Sequence, residues 1–214
     1  MAVDDLTKLF KHELGDLLFA EKTFLKGLKA MAKETSNPAI KQRILEHAGE
    51  TEGHIDTLGR AFEAAGLKAK ATKCDAALGL KEEHDSFKED EEPTPEMLEA
   101  FNLGSGLRVE HYEIAGYRSA IVLARTLGFA ESAALLQQNL AQEEAMAKFL
   151  ELQAAGALAG IASATTEDDG ASVETSIEPE VAARSGRGSR ATNLASTGRS
   201  TTGRSVGRSG AGAR

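Results

Sequence analysis

Four stretches of this chain repeat apolar residues in alternating steps of four and three. That spacing restricts the fold more than any other feature of the sequence. The first stretch gives Phe10, Leu14, Leu17, Glu21, Phe24, Leu28 and Met31. The second gives Ile40, Ile44, His47, Thr51, His54, Leu58, Ala61 and Ala65. The third gives Leu103, Leu107, Glu110, Ile114, Tyr117, Ile121 and Ala124, and the fourth Leu136, Leu140, Glu143, Ala147, Leu150 and Ala154. A mean step of 3.5 residues keeps one face of a helix turned toward its neighbours at a small crossing angle, as in a helical bundle.

The punctuation between the stripes sets the topology. The first helical pattern runs from about Asp4 to Glu34, where "TSNP" stops it and starts the next, with Asn37 as N-cap and Pro38 at the first helical position. The second runs to about Ala65 and is closed by Gly66. The third opens at Thr94–Pro95 and ends at Gly128, and the fourth runs from about Ala130 to Gln153. Short turns within each pair predict two antiparallel hairpins. The long segment between them, with a short helix expected around Asp75 to Lys88, suits a crossover. The expected fold is all-α: a ferritin-like four-helix bundle over residues 1–160, made of two hairpins joined by a long crossover.

Three of the four seams carry a carboxylate near the middle: Glu21, Glu110 and Glu143. The second seam carries His47 and His54, with Glu50 between them. At 100° per residue these three span about 60° of helix face. Glu113, one turn past Glu110, extends the acidic group. Carboxylates facing one another inside a bundle repel and resist desolvation. Divalent cations remove both costs, and a set of carboxylates with imidazole suits iron or manganese. The candidate ligands are therefore Glu21, Glu50, His54, Glu110, Glu113 and Glu143, with His47 in reserve. Glu50 and Glu113 are the expected bridges between two metals. His12, His84 and His111 are isolated in the pattern and are read as surface or capping residues. Cys74 is read as a small buried apolar residue. Tyr117 lies on a seam one turn from Glu113 and is read as packing, with a redox role as its alternative.

Charge separates the chain into two parts. Residues 1–162 hold 27 acids and 18 Lys plus Arg; residues 163–180 add six acids; residues 181–214 hold seven Arg and no acid. From 161 to 214 the composition is acidic, then rich in Arg, Gly, Ser and Thr. It is too polar to offset the entropy of ordering, so a disordered tail is expected. One Cys excludes an internal disulfide, and the chain has neither a signal-peptide pattern nor an apolar run long enough to span a bilayer. A cytoplasmic protein without membrane association is expected.

The stretches "ELGDLLFAEKTFLKGLKAM", "EHAGETEGHIDTLGRAFEAAG", "KCDAALGLKEE", "RVEHYEIAGYRSA" and "LLQQNLAQEEAMAKFL" resemble the YciE/YciF-type ferritin-like stress proteins over about residues 3–155. The resemblance implies a di-iron carboxylate site with two Fe ions per chain, ferroxidase-like activity under stress, and homodimers or larger oligomers. By position it implies Glu21 from the first helix, Glu50 and His54 from the second, Glu110 and Glu113 from the third, and Glu143 from the fourth. The sequence departs from the usual Glu-x-x-His of ferritin-like sites: Glu50 and His54 are four apart, and Met146 stands three after Glu143. One metal position is therefore expected to be poor in nitrogen donors.

Two other readings use the same residues differently. Manganese in place of iron would give peroxide disproportionation. A metal- or DNA-binding stress protein without turnover would use the Arg-rich tail to hold phosphates, an arrangement that the acidic body opposes.

Overall fold

The computed structural model describes residues 3–169; of the tail expected over 161–214 only residues 161–169 are among them, and its Arg-rich part lies outside the described residues. Among the described residues five helices follow in order: α1 Leu6–Glu34, α2 Pro38–Ala64, α3 Asp75–Asp90, α4 Pro95–Thr126 and α5 Ala130–Asp169. There is no strand among the described residues.

Helices α1 to α4 start where their local chemistry supplies a cap. Asp5 accepts from the Lys8 amide at the start of α1, Asn37 from Ala39 and Ile40 at α2, and Thr94 from Met97 at α4. Pro38 and Pro95 occupy first-turn positions, where a missing N–H costs nothing. Gly66 and Gly128 follow the ends of α2 and α4 with φ of 69° and 79°, a backbone region that side chains with a Cβ avoid. Cys74 does more than fill space: it is the N-cap of α3, its Sγ accepting from the Ala77 amide at 3.2 Å.

The fourth bundle helix was expected to end near Gln153, but α5 continues to Asp169, so residues 161–169 are helical rather than tail. "ALAGIASATT" contains no proline and many good helix formers, so nothing local stops the helix.

Helices α1 and α2 form one hairpin and α4 and α5 the other. Around the bundle α1 packs on α2 and α4, and α5 packs on α2 and α4. The expected stripes face this centre: Phe10, Leu14, Leu58, Tyr117 and Leu136 are completely buried. Burying an apolar side chain of this size contributes about 1.5–3 kcal/mol against exposure, so these seams set the register of the bundle. Two glycines allow close approach. A Cβ at Gly116 would stand 2.8 Å from Leu17 Cδ2 on α1. A Cβ at Gly15 would stand 2.4 Å from Thr72 Oγ1, and the Gly15 carbonyl accepts from the Thr72 amide at 2.8 Å. The crossover is thereby tied to α1. Among the described residues its helix, α3, packs only on α1 and α4. Among the described residues no helix is long and apolar enough to cross a membrane.

Candidate metal centre

The central positions of the four bundle helices meet at one level. Two donor groups form there: Glu21, His54 and Glu143, and His47, Glu110 and Glu143. In each group every residue offers one ligand atom, all within 4.8 Å of one another. His54 Nδ1 lies 3.4 Å from Glu21 Oε1 and 2.8 Å from Glu143 Oε1. His47 Nε2 lies 3.4 Å from Glu110 Oε1 and 3.3 Å from Glu143 Oε2. Glu143 therefore gives one oxygen to each group. All five side chains are 2 % exposed or less.

These atoms converge without satisfying one another. His54 Nδ1, Glu110 Oε2, Glu113 Oε1 and both oxygens of Glu143 are buried without a hydrogen-bond partner. The contact between His54 Nδ1 and Glu143 Oε1 has a hydrogen-bond length but lacks the alignment of one. Such orphaned atoms cost about 1–3 kcal/mol each, and more when charged. A cation placed among them would offset that cost, so the residues present fit divalent metal ions.

Outer partners orient both imidazoles. His47 Nδ1 is 2.8 Å from Glu50 Oε2, and Glu50 is also paired with Arg43 at 3.0 Å. His54 Nε2 is 2.8 Å from Gln142 Oε1. With the proton on each outward nitrogen, a lone pair points into the cluster, the arrangement seen when a ligating histidine donates its second N–H to an acceptor. Tyr117, fully buried, donates its hydroxyl to Glu21 and accepts from Asn139 Nδ2 at 3.0 Å. Asn139 Nδ2 also reaches the His54 carbonyl at 3.3 Å.

Without a cation the protons redistribute. Burial opposes a charged His47, but Glu110, Glu143 and Glu50 outweigh it and push the imidazole up to about 12. Burial likewise opposes a charged His54, and Glu143 and Glu21 carry it up to about 10. Burial raises Glu110 to about 8 against the pull of His47. Burial also raises Glu21, and raises Glu113 well above the carboxylate range, where the charges of Glu21, Glu143 and Glu110 add to it. Glu143 is also buried, but the two imidazoles beside it hold it well below that range.

The match of the family described as a domain of unknown function (DUF892) spans residues 5–162. The chain belongs to this family. Within DUF892 it is similar to Protein YciF of Escherichia coli (strain K12), at 36% identity over 146 residues, 68% of this chain and 87% of the relative. The crystal structure of the E. coli stress protein YciF superimposes with a TM-score of 0.68 at 34% identity, covering 73% of this chain and 98% of that one. YcfI from Rhodopseudomonas palustris gives a TM-score of 0.67 at 31% identity, covering 71% and 97%.

In this DUF892 chain the structure brings Glu21, His54, Glu110 and Glu143 together and adds His47, which the sequence reading held in reserve. Glu50 is in neither group: its side chain is 28% exposed and turned to Arg43 and the outer nitrogen of His47. Glu113 is also in neither group, although it is buried beside them with Oε1 unpartnered. The carboxylate spanning both groups is Glu143, not Glu50 or Glu113. Each group contains one imidazole, both from α2, so neither is the nitrogen-poor position expected from Met146. The signal for His47 was in the sequence. His47 and His54 are seven residues apart and share one line on the seam, whereas Glu50 lies about 60° off His47.

The isolated histidines are not alike. His84 is half-buried, with Nε2 2.8 Å from Asn102 Oδ1, and so ties α3 to α4. His111 is exposed, as expected.

Proposed function

We propose that the bundle holds two divalent metal ions, iron in the favoured reading, and oxidises Fe(II) at the expense of dioxygen or peroxide. One observation carries the reading: Glu143 presents one oxygen to each of two buried donor groups that otherwise share no residue. The resident ligands would be Glu21 and His54 in one group, His47 and Glu110 in the other, and Glu143 in both. Glu113 would be a further carboxylate within the same buried cluster.

When bound, the metal pair supplies the redox chemistry: two Fe(II) give two electrons, which with two protons convert dioxygen to hydrogen peroxide or peroxide to water. The chain's own residues do the rest. Glu50 and Gln142 hold the imidazoles with their lone pairs inward. Tyr117 holds Glu21 by its hydroxyl proton. The seams above and below keep bulk water out, which strengthens each charge interaction at the centre. A role in stress fits the relative from E. coli, which is described as a stress protein, and assembly as a homodimer or larger oligomer belongs to the same reading.

Anaerobic titration with Fe(II) tests the reading. Two equivalents should bind per chain, and admission of dioxygen should produce a ferric absorbance faster than in buffer. Glu143→Ala should abolish both. Binding of two ions without faster oxidation would leave a metal-binding protein without this activity. Manganese suits the same donors, and peroxide disproportionation by the manganese-loaded protein would favour that second reading.

A further inference from the structure

A second feature lies beside Glu110, between α1, α3 and α4. Helix α3 roofs the groove between α1 and α4, but only Ala77 of its residues is fully buried, so the roof does not seal. A cleft of about 200 Å³ remains beneath it. Phe24, Leu28, Leu80 and Val109 form apolar wall, and Glu110 lines the inner end. A Cβ placed on Gly27 would meet nothing within 4 Å, so the α1 wall is open at that point.

We propose that this cleft is a binding site for a short amphipathic carboxylate, with its head at Lys26 and its apolar body running inward toward Glu110. Size sets the first part. A water takes about 30 Å³ and a dry cavity of about 150 Å³ accepts benzene, so the cleft suits a body of about eight to ten heavy atoms and is larger than a dioxygen or peroxide molecule needs. Charge sets the second. Lys81 and Lys88 also line the cleft, but they are neutralised by Asp85 and Glu34. His84 has its two nitrogens turned to Asn102 and Asp85. Lys26 is exposed and makes no ion pair among the described residues, so it is the cation left for a ligand. Glu110 at the inner end is buried, so an ionised head placed there would lose its water without a cation to replace it, and the head is kept at the mouth. A mainly apolar site with one placed charge is the usual composition of a small-molecule pocket.

The site stands whether or not the cluster behind Glu110 holds metal. The test is calorimetric titration of the full-length chain, as purified and again after chelation, with octanoate and with octanol. Octanoate is expected to saturate one site per chain in both preparations. Removing the charge from either partner, by octanol or by Lys26→Gln, is expected to weaken binding about threefold, the effect of an exposed ion pair. Gly27→Leu fills the open wall and should abolish binding; it also improves helix propensity, and circular dichroism confirms that the variant is folded. Failure of octanoate to saturate, octanol binding as tightly as octanoate, or a folded Gly27→Leu chain binding like the wild type would each overturn the proposal.

Discussion

His47 and His54 stand two turns apart on α2 with ring centroids 6.2 Å apart and planes inclined at 70°, and the Glu143 carboxylate from α5 lies against both. This relationship makes α2 and α5 electrostatically dependent on each other. Glu143→Gln keeps the volume but removes the charge that both buried imidazoles lean on. Breaking a buried charge pair in this way costs about 3–5 kcal/mol. The metal-free variant should therefore lose about that much stability in urea denaturation.

The pH dependence of the metal-free protein follows from the same cluster. His47 and His54 are raised to about 12 and about 10, and Glu110 to about 8, from ordinary values of 6.5, 6.5 and 4.5. A group whose folded value is raised stabilises the fold below its unfolded value and loses that contribution as pH rises toward the folded one. Between pH 6.5 and 8 all three groups hold protons in the folded chain that the unfolded chain has released. Stability should fall with rising pH across this window. Adding a divalent metal should flatten the slope, because bound donors have already given up those protons. Thermal melts at pH 6.5, 7.2 and 8, with and without metal, check this.

Glu50→Ala separates positioning from ligation. Glu50 touches His47 through its outer nitrogen and lies outside both donor groups. Its loss should weaken binding of one ion roughly 10–100-fold, the usual effect of removing such an outer partner, while two ions still bind at saturation. Glu110→Ala removes a donor and should lower the stoichiometry itself. Isothermal titration under anaerobic conditions distinguishes the two.

Tyr117→Phe removes the hydroxyl that donates to Glu21 and accepts from Asn139. Asn139 keeps its contact with the His54 carbonyl, so the amide is not stranded. A loss of about 1–3 kcal/mol is expected, because the Glu21 carboxylate loses a buried donor. Chemical denaturation of the metal-free variant measures it.

Gly15 and Gly27 should respond oppositely to the same change. Gly15→Ala drives a methyl group into Thr72 Oγ1 and the Lys70 carbonyl, at 2.4 and 2.8 Å, and should cost about 1–3 kcal/mol by displacing the crossover. Gly27→Ala meets no atom within 4 Å and should stabilise α1 by up to about 1 kcal/mol. Paired thermal melts report the difference in sign.

The helices themselves were legible because their signals are local. Asn37–Pro38 and Thr94–Pro95 start α2 and α4, and Gly66 and Gly128 follow their ends, each by a backbone preference acting over a few residues. The far end of α5 was not legible, since the seam's regular period ends at Ala154 while alanine-rich sequence of high helix propensity continues to Ala164. Cys74 as a cap was also missed, because a thiol is a weak acceptor and seldom takes that place.

The centre divides along the same line. A period of 3.5 residues places Glu21, His47, His54, Glu110 and Glu143 on inward faces, and that much follows from covalent helix geometry alone. Which donors gather into groups depends on side chains from other helices and on neighbours in space. Arg43 and the outer nitrogen of His47 turn Glu50 away, Gln142 of α5 orients His54 of α2, and Glu143 is shared because it arrives level with the gap between two imidazoles. A helix fixes the direction in which a side chain leaves the backbone; the charges and donors brought up by its packed neighbours decide where that side chain comes to rest.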